Sequence, residues 1–333
     1  MEQREITFPV SLLDRDGRLL HSGYSREMKL RYRRKDVKTP LRLKEWDSYL
    51  IFGGGVTLRV TVCDRGFTGT DSVELLTAER TAGMSFSSLT PGGRKLPEQS
   101  AEGDICVTAR DHSLHLLHTA PGERTLIVQI RNFDGEGSLS ARLRLFGEPA
   151  ESMTLSAPME RGFSYNQRIV GFRAEGYIRW AGETWELDGG ECRAVLDWER
   201  GVWPRQSGWT WCCAAGEDAD GVPFGFSLGE SPRNGGDATE NVLFSDGVGH
   251  KLGAVTVTLP EGEETWQIAD DEGRAELVFV PESQKITRKK RPASSEEHRI
   301  LRGTFSGRVT LDDGRTMEVR DVPGCAEKAE LTW

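Results

Sequence analysis

Apolar residues recur at every second position along much of the chain, and this period constrains the fold more than any other feature. Val56, Leu58, Val60 and Val62 alternate with Thr57, Arg59 and Thr61, which on an extended backbone sends the two sets to opposite faces. The same alternation returns in Leu126-Val128-Ile130, Leu139-Ala141-Leu143-Leu145, Val255-Val257-Leu259 and Val309-Leu311. These segments read as half-buried antiparallel strands. Asp-Gly pairs punctuate them at Asp16-Gly17, Asp134-Gly135, Asp188-Gly189, Asp220-Gly221, Asp246-Gly247 and Asp313-Gly314. That dipeptide suits tight hairpins because both central residues must accept positive φ. No segment keeps a helical period for three turns, and Asp71 to Arg80 is the one stretch where a short helix is expected.

A chain of 333 residues accommodates two ordinary domains or one large β domain. Gly147 to Pro158 contains two prolines and small polar residues between strand-like runs, making it the candidate junction. A weak duplication supports the cut. Lys44-Glu45-Trp46-Asp47-Ser48-Tyr49-Leu50-Ile51 leads through Gly53-Gly54-Gly55 into another strand, and Gly208-Trp209-Thr210-Trp211-Cys212 leads through Asp220-Gly221 into Phe224 to Leu228. Two related β domains are therefore expected, over 1–150 and 151–333.

The net charge of −9 argues against general nucleic-acid binding, since phosphate backbones repel an acidic surface. Basic residues cluster locally at Arg26 to Lys38 and again at Lys285 to Arg291. They read as a solvated strand face and a loop, with peripheral contact to an anionic membrane surface through Lys29, Arg31 and Arg33 as the alternative. The six cysteines are scattered with no Cys-x-x-Cys pair, which is neither a disulfide framework nor a zinc site. Residues Met1 to Val10 lack an apolar core and no apolar run approaches the length of a membrane span, so the expected location is the cytoplasm. His112, His115 and His118 invite a metal reading, but on a strand His115 points away from the other two. There is no phosphate-binding loop, no Gly-x-Gly-x-x-Gly and no Gly-x-Ser-x-Gly. No cofactor is expected.

Tryptophan concentrates between Phe163 and Leu252, which holds six of the nine. Trp209 and Trp211 share one strand face, and with Trp198 and Trp203 they form either a barrel core or an aromatic-lined ligand cavity. Within this region runs Leu196-Asp197-Trp198-Glu199-Arg200-Gly201-Val202-Trp203-Pro204. Asp197 and Glu199 share a face if the segment is extended, with Trp198 and Arg200 turned the other way. Two carboxylates on one desolvated face push each other's proton affinities apart, which suits a general acid; arginines such as Arg200 or Arg205 offer a structural alternative. Glu240 and Asn241 precede a hairpin turning at Asp246-Gly247 and are expected near His250. Tyr165 and Asn166 add a phenol and an amide that either orient a ligand or cap a barrel end.

Several of these segments carry a resemblance. Arg4-Glu5-Ile6-Thr7, Gly23-Tyr24-Ser25-Arg26, Lys44-Glu45-Trp46-Asp47, Leu196 to Pro204, Thr239-Glu240-Asn241 and the ending Ala326-Glu327 to Trp333 look like a bacterial family known as domain of unknown function two-eight-zero-four, along essentially the whole chain. More distantly, Phe163-Ser164-Tyr165, Gly176-Tyr177-Ile178, Asp188-Gly189, Asp197-x-Glu199 and Trp209-x-Trp211 resemble the second half of carotenoid hydratase and AttH-like proteins. The resemblance implies an all-β, calycin-type fold of two lipocalin-like antiparallel β-barrel domains, with the site in the second. It further implies Asp197 as the acid that protonates an isoprenoid double bond. Where the hydratases carry tryptophans around that aspartate, this chain has Val195 and Arg200. The expected activity is lipophile binding with cofactor-free hydratase, isomerase or cyclase chemistry; the alternatives are a noncatalytic lipid carrier and an interaction protein. Organic extraction followed by mass spectrometry separates the first two from the third.

Overall fold

The structure, a computed structural model, describes residues 3–234, 236–262, 264–291 and 294–333. It is all-β, built from two curled antiparallel half-barrel sheets. No α-helix occurs among the described residues, where three single-turn 3-10 segments are the only helical elements.

The first sheet has thirteen strands. Along its spine Thr81–Leu89, Thr68–Thr77, Val56–Asp64 and Leu43–Gly53 form successive hairpins, and Leu43–Gly53 then pairs with Arg193–Val202. From there the sheet continues through Gly162–Trp180, Leu139–Phe146, Glu123–Ile130, His112–Ala120 and Ile105–Thr108. The second sheet has nine strands, centred on Gln206–Glu217, Thr316–Thr332, Ser294–Thr310 and Ala275–Arg291. The last three are seventeen residues each and reach past their own core to cover the first sheet.

Two expectations change. Asp71 to Arg80 forms no helix, because Thr68–Thr77 is paired on both edges and buries Val73 and Leu75 at alternate positions; pairing overrides local propensity. The stretch Gly147 to Pro158 does not separate the sheets either. Leu139–Phe146 and Met153–Met159 both pair with Gly162–Trp180, and the chain passes to the second sheet only at Trp203-Pro204-Arg205. A proline-bearing connection marks a turn, not which sheet the following strand joins. Of the Asp-Gly pairs, Asp134-Gly135 and Asp246-Gly247 hold positive φ at both residues, and Asp246-Gly247 joins the paired strands Val242–Ser245 and Val248–Lys251.

Apolar packing forms three layers. Leu58, Val60, Leu126, Phe172 and Trp198 lie in the core of the first sheet, and Phe226, Phe279 and Phe305 in that of the second. Between them Leu50, Phe52 and Val195 meet Trp211, Cys213 and Ile300. All ten residues of Arg193–Val202 are consequently buried: its inner face closes the first core and its outer face lies under the second sheet.

Candidate functional site

Alternation along Arg193–Val202 sorts its charged residues. Trp198 and Arg200 turn inward, where Arg200 pairs with Asp47 at 2.7 Å and Glu45 at 3.5 Å and stacks on Trp198 at 4.2 Å. The Tyr32 hydroxyl donates to Glu45 at 2.8 Å. Tyr165 belongs to the same inner face, since its register partner is Arg200. Its hydroxyl donates to the Leu30 carbonyl at 2.8 Å and its ring meets Trp198 edge-on. Tyr165 and Trp198, both expected at the site, are therefore sealed in the core of the first sheet. Period two places them opposite to Asn166 and Glu199.

Asp197 and Glu199 turn outward together, as their spacing predicts. The Asp197 carboxylate is ion-paired with Arg168 and accepts the Trp46 indole N–H at 3.1 Å. Arg168 also reaches Glu240 at 3.3 Å. Arg233 bridges Glu240 at 3.0 Å and Glu199 at 2.7 Å. Asn166 donates to Glu240 at 2.9 Å, and Glu199 accepts from Ser164 at 2.7 Å and Trp203 at 3.3 Å. Burial raises the Glu199 carboxyl despite Arg233. For Glu240 burial acts in the same direction, but Arg233 and Arg168 outweigh it and hold the group below its usual range. Burial lowers the Arg168 guanidinium to about 10, still cationic at neutral pH. Two guanidiniums thus face three carboxyl groups, and the cluster is neutral only when one carboxyl carries a proton.

Above this cluster, between the sheets, lies a cavity of about 240 Å³. Trp46, Arg168 and Asp197 form its floor, Trp209, Trp211 and Trp333 a wall, and Lys285, Thr287 and Lys289 its roof. Trp46 stacks on Trp209 with ring centres 6.3 Å apart and planes at 16°, and meets Trp203 at 5.7 Å. The two strands matched by the weak duplication therefore face each other across the cleft. The Trp209 indole donates to Glu327 at 2.7 Å, which also pairs with Arg59 at 2.6 Å and His298 at 3.2 Å. Burial opposes ionisation of Glu327, yet Arg59 and His298 hold its carboxyl well below the ordinary range. Glu74 is the contrasting carboxyl on the lining: burial raises it against the pull of Arg59, and its Oε2 has no hydrogen-bond partner.

The site is thus built by both sheets, not by the second half of the chain as expected. Trp209, Trp211 and Asp197 reach the cleft. Glu199, Asn166, Trp203 and Glu240 lie in or against the cluster beneath it. His250 goes elsewhere. Val242 pairs with Lys251 and Leu243 with His250, so Lys251 is the residue beside Asn241, donating to its carbonyl at 2.8 Å. The His250 ring lies 3.6 Å from Asp312. Asn241 ties strands together, accepting from Gly229 N–H and donating to the Gly253 carbonyl. Arg168, Arg233, Arg59, Glu74, Lys285 and Trp333 were not legible as site residues. Nor was Trp46, which the sequence showed only as the aromatic member of the repeated segment.

The sequence profile of the family described as a domain of unknown function, DUF2804, matches residues 3–333. The chain belongs to the DUF2804 family. No curated protein matches it. Among solved structures, this DUF2804 chain is similar to the crystal structure of an AttH-like protein of Nitrosomonas europaea, with a TM-score of 0.50 and 14% identity over 87% of this chain and 92% of that one. The likeness establishes the fold. CghA with Sch210972 follows at TM-score 0.48 and 12% identity, covering 87% and 88% of the two chains. Kievitone hydratase from Nectria haematococca gives 0.40 and 8% over the same shares.

Proposed function

We propose that the protein binds a lipophilic small molecule in the cleft between its two sheets and, in its catalytic form, transfers a proton to it without a cofactor. The observation that carries this reading is a cavity lined by four indoles with a carboxylate on its floor. Indoles supply broad apolar contact together with N–H groups, and the same lining carries Arg59, Glu74, His298 and Glu327, polar groups of the kind that fix a bound molecule's orientation. Of the three carboxyl groups in the buried cluster, Asp197 is the one on the lining and so the one placed to hand a proton to a bound molecule. A proton on Asp197 leaves Arg168 still paired with Glu240, so the exchange strands no buried charge. Protonation of an alkene in a water-poor site, as a hydratase, isomerase or cyclase requires, is the chemistry such a group performs.

A noncatalytic carrier is the second reading. It is favoured by Asp197 having both oxygens engaged, by Arg168 and by Trp46. Organic extraction of the purified protein followed by mass spectrometry tests both readings, with a co-purifying lipophile as the expected result. A preparation that is repeatedly empty and takes up no lipophile overturns them. Asp197→Asn then separates the two: the enzyme reading requires the variant to keep the ligand and lose turnover, and unchanged turnover removes Asp197 as the acid.

A further inference from the structure

Resting on the lipophile-binding reading, we propose that the cleft selects a lipophilic carboxylate, whose head group is held at the roof by Lys285 with Lys289 beside it. Strand Ala275–Arg291 crosses over the first sheet and sends Lys285, Thr287 and Lys289 into the cleft, while Gln284, Ile286 and Arg288 between them are exposed. The floor of the cleft is rich in carboxylates and the roof in cations. Arg168 and Arg233 are matched by Asp197, Glu199 and Glu240, and Arg59 by Glu327. At the roof Arg65 and Lys289 share one carboxylate, Glu296, at 3.2 and 3.9 Å. The Lys285 ammonium has no hydrogen-bond or ion-pair partner among the described residues. In a chain of net charge −9, Arg65, Lys285 and Lys289 here still outnumber Glu296 and the Glu74 carboxyl beneath them.

Room for it is built into the opposing sheet. Lys285 lies over Gly83, where an added Cβ would stand 2.5 Å from the Lys285 Cε and 3.2 Å from the Glu74 Cγ. Any side chain at residue 83 would displace the lysine stem. The ammonium is half-buried, and a ligand carboxylate would meet it through a charge-assisted hydrogen bond. The apolar part of such a ligand would then lie along Trp209, Trp211 and Trp46. The competing role for Lys285 is packing beside Glu74.

The test is a titration of the full-length protein, followed by intrinsic tryptophan fluorescence, with saturated fatty acids and the matching alcohols from octyl to hexadecyl chain length. The acids are expected to bind about tenfold more tightly than the alcohols, and the preference should narrow with added salt. Lys285→Ala should abolish the acid-over-alcohol ratio and Lys285→Arg should keep it. Equal affinity for acids and alcohols in the unmodified protein overturns the head-group assignment and leaves the lipophile reading standing. Binding of neither series overturns both. An undiminished ratio in Lys285→Ala, or loss of acid and alcohol binding in equal proportion, assigns Lys285 to packing and overturns the proposal.

Discussion

Arg200 and Arg168 are both fully buried guanidiniums held by carboxylates, on opposite faces of the first sheet. Arg200 is enclosed by Asp47, Glu45, Trp198 and the carbonyl oxygens of Trp46 and Pro97. Arg168 instead lies on the floor of the cleft beside Asp197, stacked on Trp211 at 4.9 Å. Both clusters cost desolvation, and both recover it through pairing. Only the second can exchange a proton or a ligand with solvent. Buried charge by itself therefore marks structure, and access to a cavity is what turns it into a site.

Removing the sealed guanidinium gives the largest expected effect. Arg200→Met leaves Glu45 and Asp47 buried without their main counter-charge and should cost about 3–5 kcal/mol in urea denaturation. The folded fraction should bind lipophile as before; a ligand-binding loss out of proportion to unfolding would break the distinction between the two faces.

Lys251 sharpens the same contrast from the second sheet. Its ammonium donates to Thr239 Oγ1, the Asn241 carbonyl and the Leu252 carbonyl, and no carboxylate lies within ion-pairing distance among the described residues. Burial pushes it down to about 7 from an ordinary 10.5. Between those values the folded state binds fewer protons than the unfolded state, so this group makes stability rise with pH from about 7 to about 10.5. Lys251→Met should remove that slope. The difference between parent and variant, measured by thermal or urea unfolding across this window, should change by roughly 1–3 kcal/mol. A pH-independent difference would show that the ammonium is not desolvated as the packing requires.

Tyr165→Phe gives the smallest effect. It deletes one buried hydrogen bond to the Leu30 carbonyl and should cost about 1 kcal/mol with no change in lipophile affinity. Weakened binding at unchanged stability would return Tyr165 to the site.

Much of the fold was legible because its signal is local. Val56 to Val62 and Leu139 to Leu145 alternate as the strands require, and Asp197 and Glu199 share a face because any extended backbone makes them do so. Trp209 and Trp211 were legible as sharing one strand face for the same reason. The misassignments of Tyr165, Trp198 and His250 also arise from the period. It says which residues lie together on a strand, not which face meets a cavity. Asp71 to Arg80 went astray because its partner strands, not its own residues, fixed its conformation.

By itself, then, the sequence determined an all-β chain, the hairpin at Asp246-Gly247, the pairing of Asp197 with Glu199 on one face, and membership of the DUF2804 family. Tertiary structure alone decided that the strands Met153–Met159 to Arg193–Val202 join the first sheet, and that the cleft is shared by both. The contacts that make the site join residues far apart in the chain, Trp46 to Asp197 and Arg59 to Glu327. Strand periodicity carries no information about partners at such separations; they are set when one curled sheet is laid across the other.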